Sequence, residues 1–182
     1  MKHRLLVSLF TGIICTLLAW PALAQEDELK DLPGYVDFGD LSAAYGEPKI
    51  SINIGGTLLQ FVGTMSEDSN PETAKMLSKL KGVRVFGYDT GDDTTAAKKK
   101  FATVKANLKS RGWEPVVQVN QDDEQVFIYM KTEGKTMDGM TVMTVDDEEV
   151  MFINIIGQLD PKELGKVMQG LNVDVDGALK LK

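Results

Sequence analysis

Apolar and polar residues alternate at the first regular stretch of the chain, Lys49-Ile-Ser-Ile-Asn-Ile54, the period of a strand with one buried face. Gly55-Gly56 follows, and two continuations fit it. One is a hairpin turning into Thr57 to Val62; the other is a helix in which Leu58, Leu59, Val62 and Met65 share a face. Those four positions match period 3.6 better than period 2, so a helix is expected. Asn70-Pro71-Glu72 supplies a cap and then a proline at the first helical position. Ala74, Leu77 and Leu80 form the inward face of that helix, and Gly82 ends it. Val83 to Asp89 is the next strand. Asp92, Asp93 and Thr94 open the clearest helix of the chain, where Ala97, Phe101, Val104 and Leu108 recur at spacings of four, three and four. Acids at its start and Lys109 and Arg111 at its end suit the helix dipole, and Gly112 stops it.

Beyond Gly112 the period changes to that of strands. Trp113 to Asn120, Gln125 to Thr132, Gly139 to Val145 and Val150 to Ile156 read as four short strands separated by brief polar turns. Connections this short imply antiparallel neighbours. Asp160-Pro161-Lys162-Glu163 is a capping box leading a last helix, with Leu164, Val167, Met168 and Leu171 facing in. The pattern predicts an α+β domain: a largely antiparallel sheet with helices packed on one face, in the order β-α-β-α-β-β-β-β-α.

The ends of the chain read differently. Lys2, His3 and Arg4, the apolar run Leu5 to Trp20, and Ala22-Leu23-Ala24 have the pattern of a secretory signal peptide over residues 1–24, cleaved after Ala24. That cleavage removes Cys15 and His3, the one cysteine and the one histidine of the chain. The exported protein would then hold neither thiol nor imidazole, which excludes most hydrolytic, redox and zinc chemistry. Residues 25–48 form an N-terminal arm rich in acids, Gly and Pro, in which Tyr35, Phe38 and Tyr45 could dock on the parent domain or on a partner. The domain proper is expected over 49–171 and a C-terminal tail over 172–182.

The net charge is −7, and losing Lys2 and Arg4 makes the chain more acidic still. Nucleic acid is therefore an unsuitable partner, because phosphate contacts need a basic face. No segment after Ala24 is apolar enough to span a bilayer.

The domain resembles a known family, the bacterial domain of unknown function 4252, from about Lys49 to Leu171. The resemblance rests on Ile50-Ser-Ile-Asn-Ile-Gly-Gly56, Leu77-Ser-Lys-Leu-Lys-Gly-Val-Arg-Val85, Gly112-Trp113-Glu114, and Ile153-Asn-Ile-Ile-Gly157 before Leu159-Asp160. These are strand cores, helix ends and a cap, and none is a catalytic motif. The resemblance implies a small exported or lipid-anchored α+β domain of Gram-negative bacteria with no established activity, and this chain would be a non-lipidated, periplasmic form.

Candidate chemistry is sparse. The acidic turns around Asp89, Asp92 and Asp93, around Asp122 and Asp123, and around Asp146 and Asp147 could hold a divalent cation if they met at one end of the sheet. Solvated hairpin tips are the plainer reading. Met137, Met140 and Met143 could offer soft ligands to Cu(I), although a strand would turn Met140 and Met143 to opposite faces. Asn172-Val-Asp174-Val-Asp176-Gly177 opens like a calcium loop, but it has Lys180 at the ninth position and ends before the twelfth. Lys98, Lys99, Lys100, Lys105 and Lys109 crowd one helix and read as its solvated side. No cofactor is expected. The expectation is a periplasmic, non-catalytic binding or interaction module with a protein partner in the envelope. The alternative is a divalent-cation or small-ligand binding protein.

Overall fold

A computed structural model of the protein describes residues 28–90, 95–121, 124–134 and 136–159. Six strands form one open sheet: β1 (Ile50–Gly55), β2 (Leu80–Asp89), β3 (Glu114–Asn120), β4 (Gln125–Glu133), β5 (Thr136–Val145) and β6 (Glu149–Leu159). Their spatial order is β1-β2-β6-β5-β4-β3, with every neighbouring pair antiparallel. The strands β3 to β6 make the expected meander, and β6 returns beside β2 to close the centre of the sheet.

Among the described residues, the sheet is accompanied by the helices α1 (Ser42–Tyr45), α2 (Gly56–Ser66), α3 (Pro71–Lys79) and α4 (Thr95–Ser110). The crossover from β1 to β2 thus holds both helices that the periodicity predicts there, one more than the order β-α-β-α-β-β-β-β-α counts. Asn70 caps α3 as expected, its side chain accepting the Thr73 N–H at 3.1 Å. Leu80 is buried as expected, but as the first residue of β2 and not as the last of the helix. Gly112 follows α4 with φ of +74°, a left-handed conformation that releases the chain into β3.

The class and the antiparallel sheet are as expected, but the helices divide between the two faces. On one face, Ala97, Phe101, Val104 and Leu108 of α4 pack on Tyr88, Trp113, Phe127, Met143 and Phe152. On the other, Leu59 of α2 and Met76 and Leu77 of α3 pack on Val85, Ile128, Met140, Val142 and Ile153. The physical reason is that the strands are apolar at both parities: Phe152 and Ile153, or Val142 and Met143, are each nearly inaccessible to water. A sheet apolar on both sides must be covered on both.

The arm completes the first face. Val36, Phe38 and Leu41 are buried in the same cluster as α4, and Phe38 meets Phe152 with ring centroids 5.2 Å apart. Beneath it lies the sheet's buried polar set, Arg84, Thr141 and Asn154. Asn154 accepts the Val36 N–H at 3.0 Å and donates to the carbonyls of Gly34 at 2.9 Å and Met140 at 3.2 Å. Arg84 donates to the Val36 carbonyl at 2.9 Å, and its guanidinium lies over the Tyr35 ring, 4.5 Å from the centroid. Residues far apart in sequence are thereby tied, and the arm becomes part of the core.

Candidate interaction surface

The sequence's candidate residues fall into three environments. Tyr35 and Phe38 are 6% and 3% exposed, and Tyr45 is half-buried against Tyr88 and Phe152. The aromatic arm has docked on its own domain, so these rings serve the core. A cavity of about 610 Å³ marks the seam between arm and sheet, lined among others by Lys30, Tyr35, Asp37, Asp40, Arg84 and Arg111. Its two carboxylates serve the arm's own turns. Asp37 accepts the Gly39 N–H at 2.7 Å and Asp40 the Ala43 N–H at 2.9 Å.

Burial pushes the Tyr45 hydroxyl up to about 12, with neighbouring Tyr88 adding to the effect. The Tyr45 hydroxyl oxygen is buried and has no hydrogen-bond partner among the described residues. Tyr45→Phe should therefore be neutral or stabilising by up to about 1 kcal/mol below pH 10. The folded protein resists ionising this group while the unfolded chain ionises near 10, so wild-type stability falls as pH rises above 10. Urea unfolding of both proteins from pH 8 to 11 checks this: the gap should widen in favour of Tyr45→Phe, and a constant gap would contradict it.

Two of the acidic turns lie side by side, with Asp89 paired to Glu149 across β2 and β6 and the Thr90 N–H donating to the Glu148 carbonyl at 3.2 Å, but the carboxylates of Asp89 and Asp146 serve other partners. Asp146 uses one carboxylate oxygen to accept the N–H groups of Glu148 and Glu149, at 2.9 and 2.7 Å, and Asp147 is exposed. Asp89 forms an ion pair with Lys49. Among the described residues, no three Asp, Glu, His or Cys side chains gather as a metal site. Asp92, Asp93, Asp122, Asp123, the expected capping box at Asp160, the expected tail and the expected leader ending at Ala24 lie outside the described residues. The methionines are core: Met137 and Met140 belong to the α2–α3 face and Met143 to the α4 face. Of the lysines on α4, Lys98, Lys99 and Lys109 are exposed, while Lys105 lies 3.8 Å above the Phe127 ring centroid.

On one surface the structure departs from the periodicity of the sequence. The helix at Gly56 forms, but only Leu59 and Gly63 of it are buried. Leu58, Phe61, Val62 and Met65 stand 49, 61, 42 and 71% exposed, at the i, i+3, i+4, i+7 spacing of one continuous stripe. Gly63 explains the rotation. A Cβ there would lie 3.3 Å from the Ala74 carbonyl oxygen, so α2 packs on α3 through its smallest residue and turns its bulkier ones away. The helices α2 and α3 cover neighbouring parts of the sheet, α2 over β1 and β2 and α3 beside β6. The stripe therefore lies on the flank away from α3, above the outer edge of the sheet. Ile50 and Ile52 are on that same edge and face, 37 and 40% exposed. The available signal was charge: no residue from Ile50 to Ser66 carries one, in a chain with 26% charged residues.

The two sheet edges differ as well. The outer strand β3 holds Glu114, Pro115 and a register shift between Pro115 and Val117, all features that discourage pairing with another strand. The other outer strand, β1, is regular from Ile50 to Gly55 and has none of them.

Among the described residues, fold and surface define a small α+β domain with an exposed apolar flank and an outer strand edge, and with no convergent reactive set. The chain belongs to the family of the domain of unknown function DUF4252, which matches residues 45–167. No curated protein is similar enough in sequence to match it.

Proposed function

We propose that the protein is an exported, periplasmic, non-catalytic interaction module that works through the flank formed by β1 and α2. The observation that carries this reading is the exposed stripe of Leu58, Phe61, Val62 and Met65 beside an unprotected edge strand. Contiguous apolar surface in water is unfavourable, and sizeable exposed patches of this kind commonly mark a binding site. Export is supported by the pattern of Met1 to Ala24. A non-catalytic role is supported by the lack of Cys and His in residues 25–182.

The test is crosslinking in living cells of a tagged protein expressed from the full sequence, wild type against Phe61→Glu. Phe61 is 61% exposed, so the substitution should change stability by no more than about 0.5 kcal/mol. A charge at the centre of the stripe should lower the yield of crosslinked complexes at least about tenfold. Equal yields from both proteins would contradict the reading.

A further inference from the structure

The partner can be specified further, resting on the reading that the β1–α2 flank is the binding surface. We propose that this flank pairs with a second copy of itself, β1 against β1 in antiparallel fashion, about a twofold axis normal to the sheet.

Charge is the first argument. A twofold interface sets each residue's own patch against itself, so any charge near the axis meets its like. The run from Ile50 to Ser66 is free of charge in a chain whose net charge is −7, and it can face its copy without repulsion. An anionic membrane surface fits less well, since interfacial helices carry Lys or Arg beside the apolar face and α2 has neither.

Geometry is the second. An open edge strand recruits another strand, and antiparallel pairing of two identical strands is what a twofold axis normal to the sheet generates. That axis keeps both α2 helices on the same side of a continuous twelve-stranded sheet, about 10 Å apart, since each lies over its own β1–β2 pair and strands are about 4.8 Å apart. Helices in contact are 8 to about 10 Å apart. The stripe lies on the flank of α2 that would face the other copy, with Ile50 and Ile52 forming the floor of the seam.

Area is the third. The six side chains Ile50, Ile52, Leu58, Phe61, Val62 and Met65 together expose on the order of 500 Å² of apolar surface, the upper end of what a monomer carries. Stable complexes bury about 800 Å² per partner, and the β1 backbone with Ser51, Asn53 and Thr57 supplies the rest.

Sedimentation velocity of the protein expressed from its full sequence and purified as the cell processes it tests this, at about 10 μM, where an interface of standard size is populated. The wild type should sediment as a dimer. Met65→Lys, at a position already 71% exposed, should raise the dissociation constant at least about a hundredfold with an unchanged melting curve. A 1:1 mixture of Phe61→Lys and Phe61→Glu should recover dimer that neither protein forms alone, because Phe61 is central in the stripe, where two antiparallel copies of α2 bring a residue near its own counterpart. Val116→Lys, on the opposite edge strand, should leave the dimer intact. A monomeric wild type, a dimer insensitive to Met65→Lys, or a mixture that stays monomeric would each overturn the proposal. A monomeric wild type whose cellular complexes still depend on Phe61 would overturn self-pairing alone. Complexes indifferent to Phe61 would overturn the reading beneath it.

Discussion

Asn154→Leu should cost about 3–5 kcal/mol of folding stability and release the arm, although the change preserves volume and sits far from any exposed surface. The side chain is fully buried and makes three hydrogen bonds to backbone: one accepted from Val36 and two donated, to Gly34 and Met140. Leucine replaces none of them. The arm's N–H and C=O groups would then stay buried without partners, at about 1–3 kcal/mol each, or leave the sheet to reach water. Leaving would expose Tyr35, Val36, Phe38 and Leu41, which are now buried. Urea denaturation gives the stability change, and limited proteolysis around Gly34 reports the release. A loss below about 1 kcal/mol with an unchanged cleavage pattern would mean that apolar contacts alone hold the arm.

Gly139→Ala should be comparably severe for a different reason. A Cβ on Gly139 would lie 2.6 Å from the Cα of Gly34 and 2.7 Å from its carbonyl oxygen. Both obstacles are backbone, so no side chain can swing aside. The arm crosses β5 at a point where only two facing glycines let the chains touch. The methyl group must force the arm off the sheet or displace the strand beside the irregularity between Met137 and Gly139, and a loss of about 3 kcal/mol or more is expected. The neighbouring Asp138→Ala is the control: Asp138 enters that contact through its backbone carbonyl, which the substitution keeps, so stability should change by less than about 1 kcal/mol. Thermal melting of the two proteins side by side decides the matter, and similar midpoints would contradict the close approach.

Local patterns in the sequence carried much of the fold. The stripe of Ala97, Phe101, Val104 and Leu108 is buried throughout, because long-period amphipathicity leaves a helix one way to bury itself. The meander from β3 to β6 followed from turns too short for any other connection. The features that escaped depend on contacts between distant residues. Whether Phe38 would meet Phe152 or a partner is decided by Asn154 and Arg84, more than forty positions away. The facing direction of α2 is decided by Gly63 against Ala74. Period 3.6 identified the helix, but four apolar residues and one small residue cannot say which of two flanks packs. An inward glycine beside a small residue of the next helix overrode the larger side chains. What remained legible was the neutrality of Ile50 to Ser66, since an outward flank on a monomer would ordinarily carry charge.

The most direct test of the account is site-specific photocrosslinking in the native host, with the reactive side chain placed at position 61 on α2 or at position 116 on β3. Both positions are exposed, at 61 and 55%, so accessibility alone does not separate them. A discrete adduct is expected from position 61 and none from position 116. No adduct from position 61, or equal adducts from both, would contradict the claim that the uncharged β1–α2 flank is where this protein meets its partner.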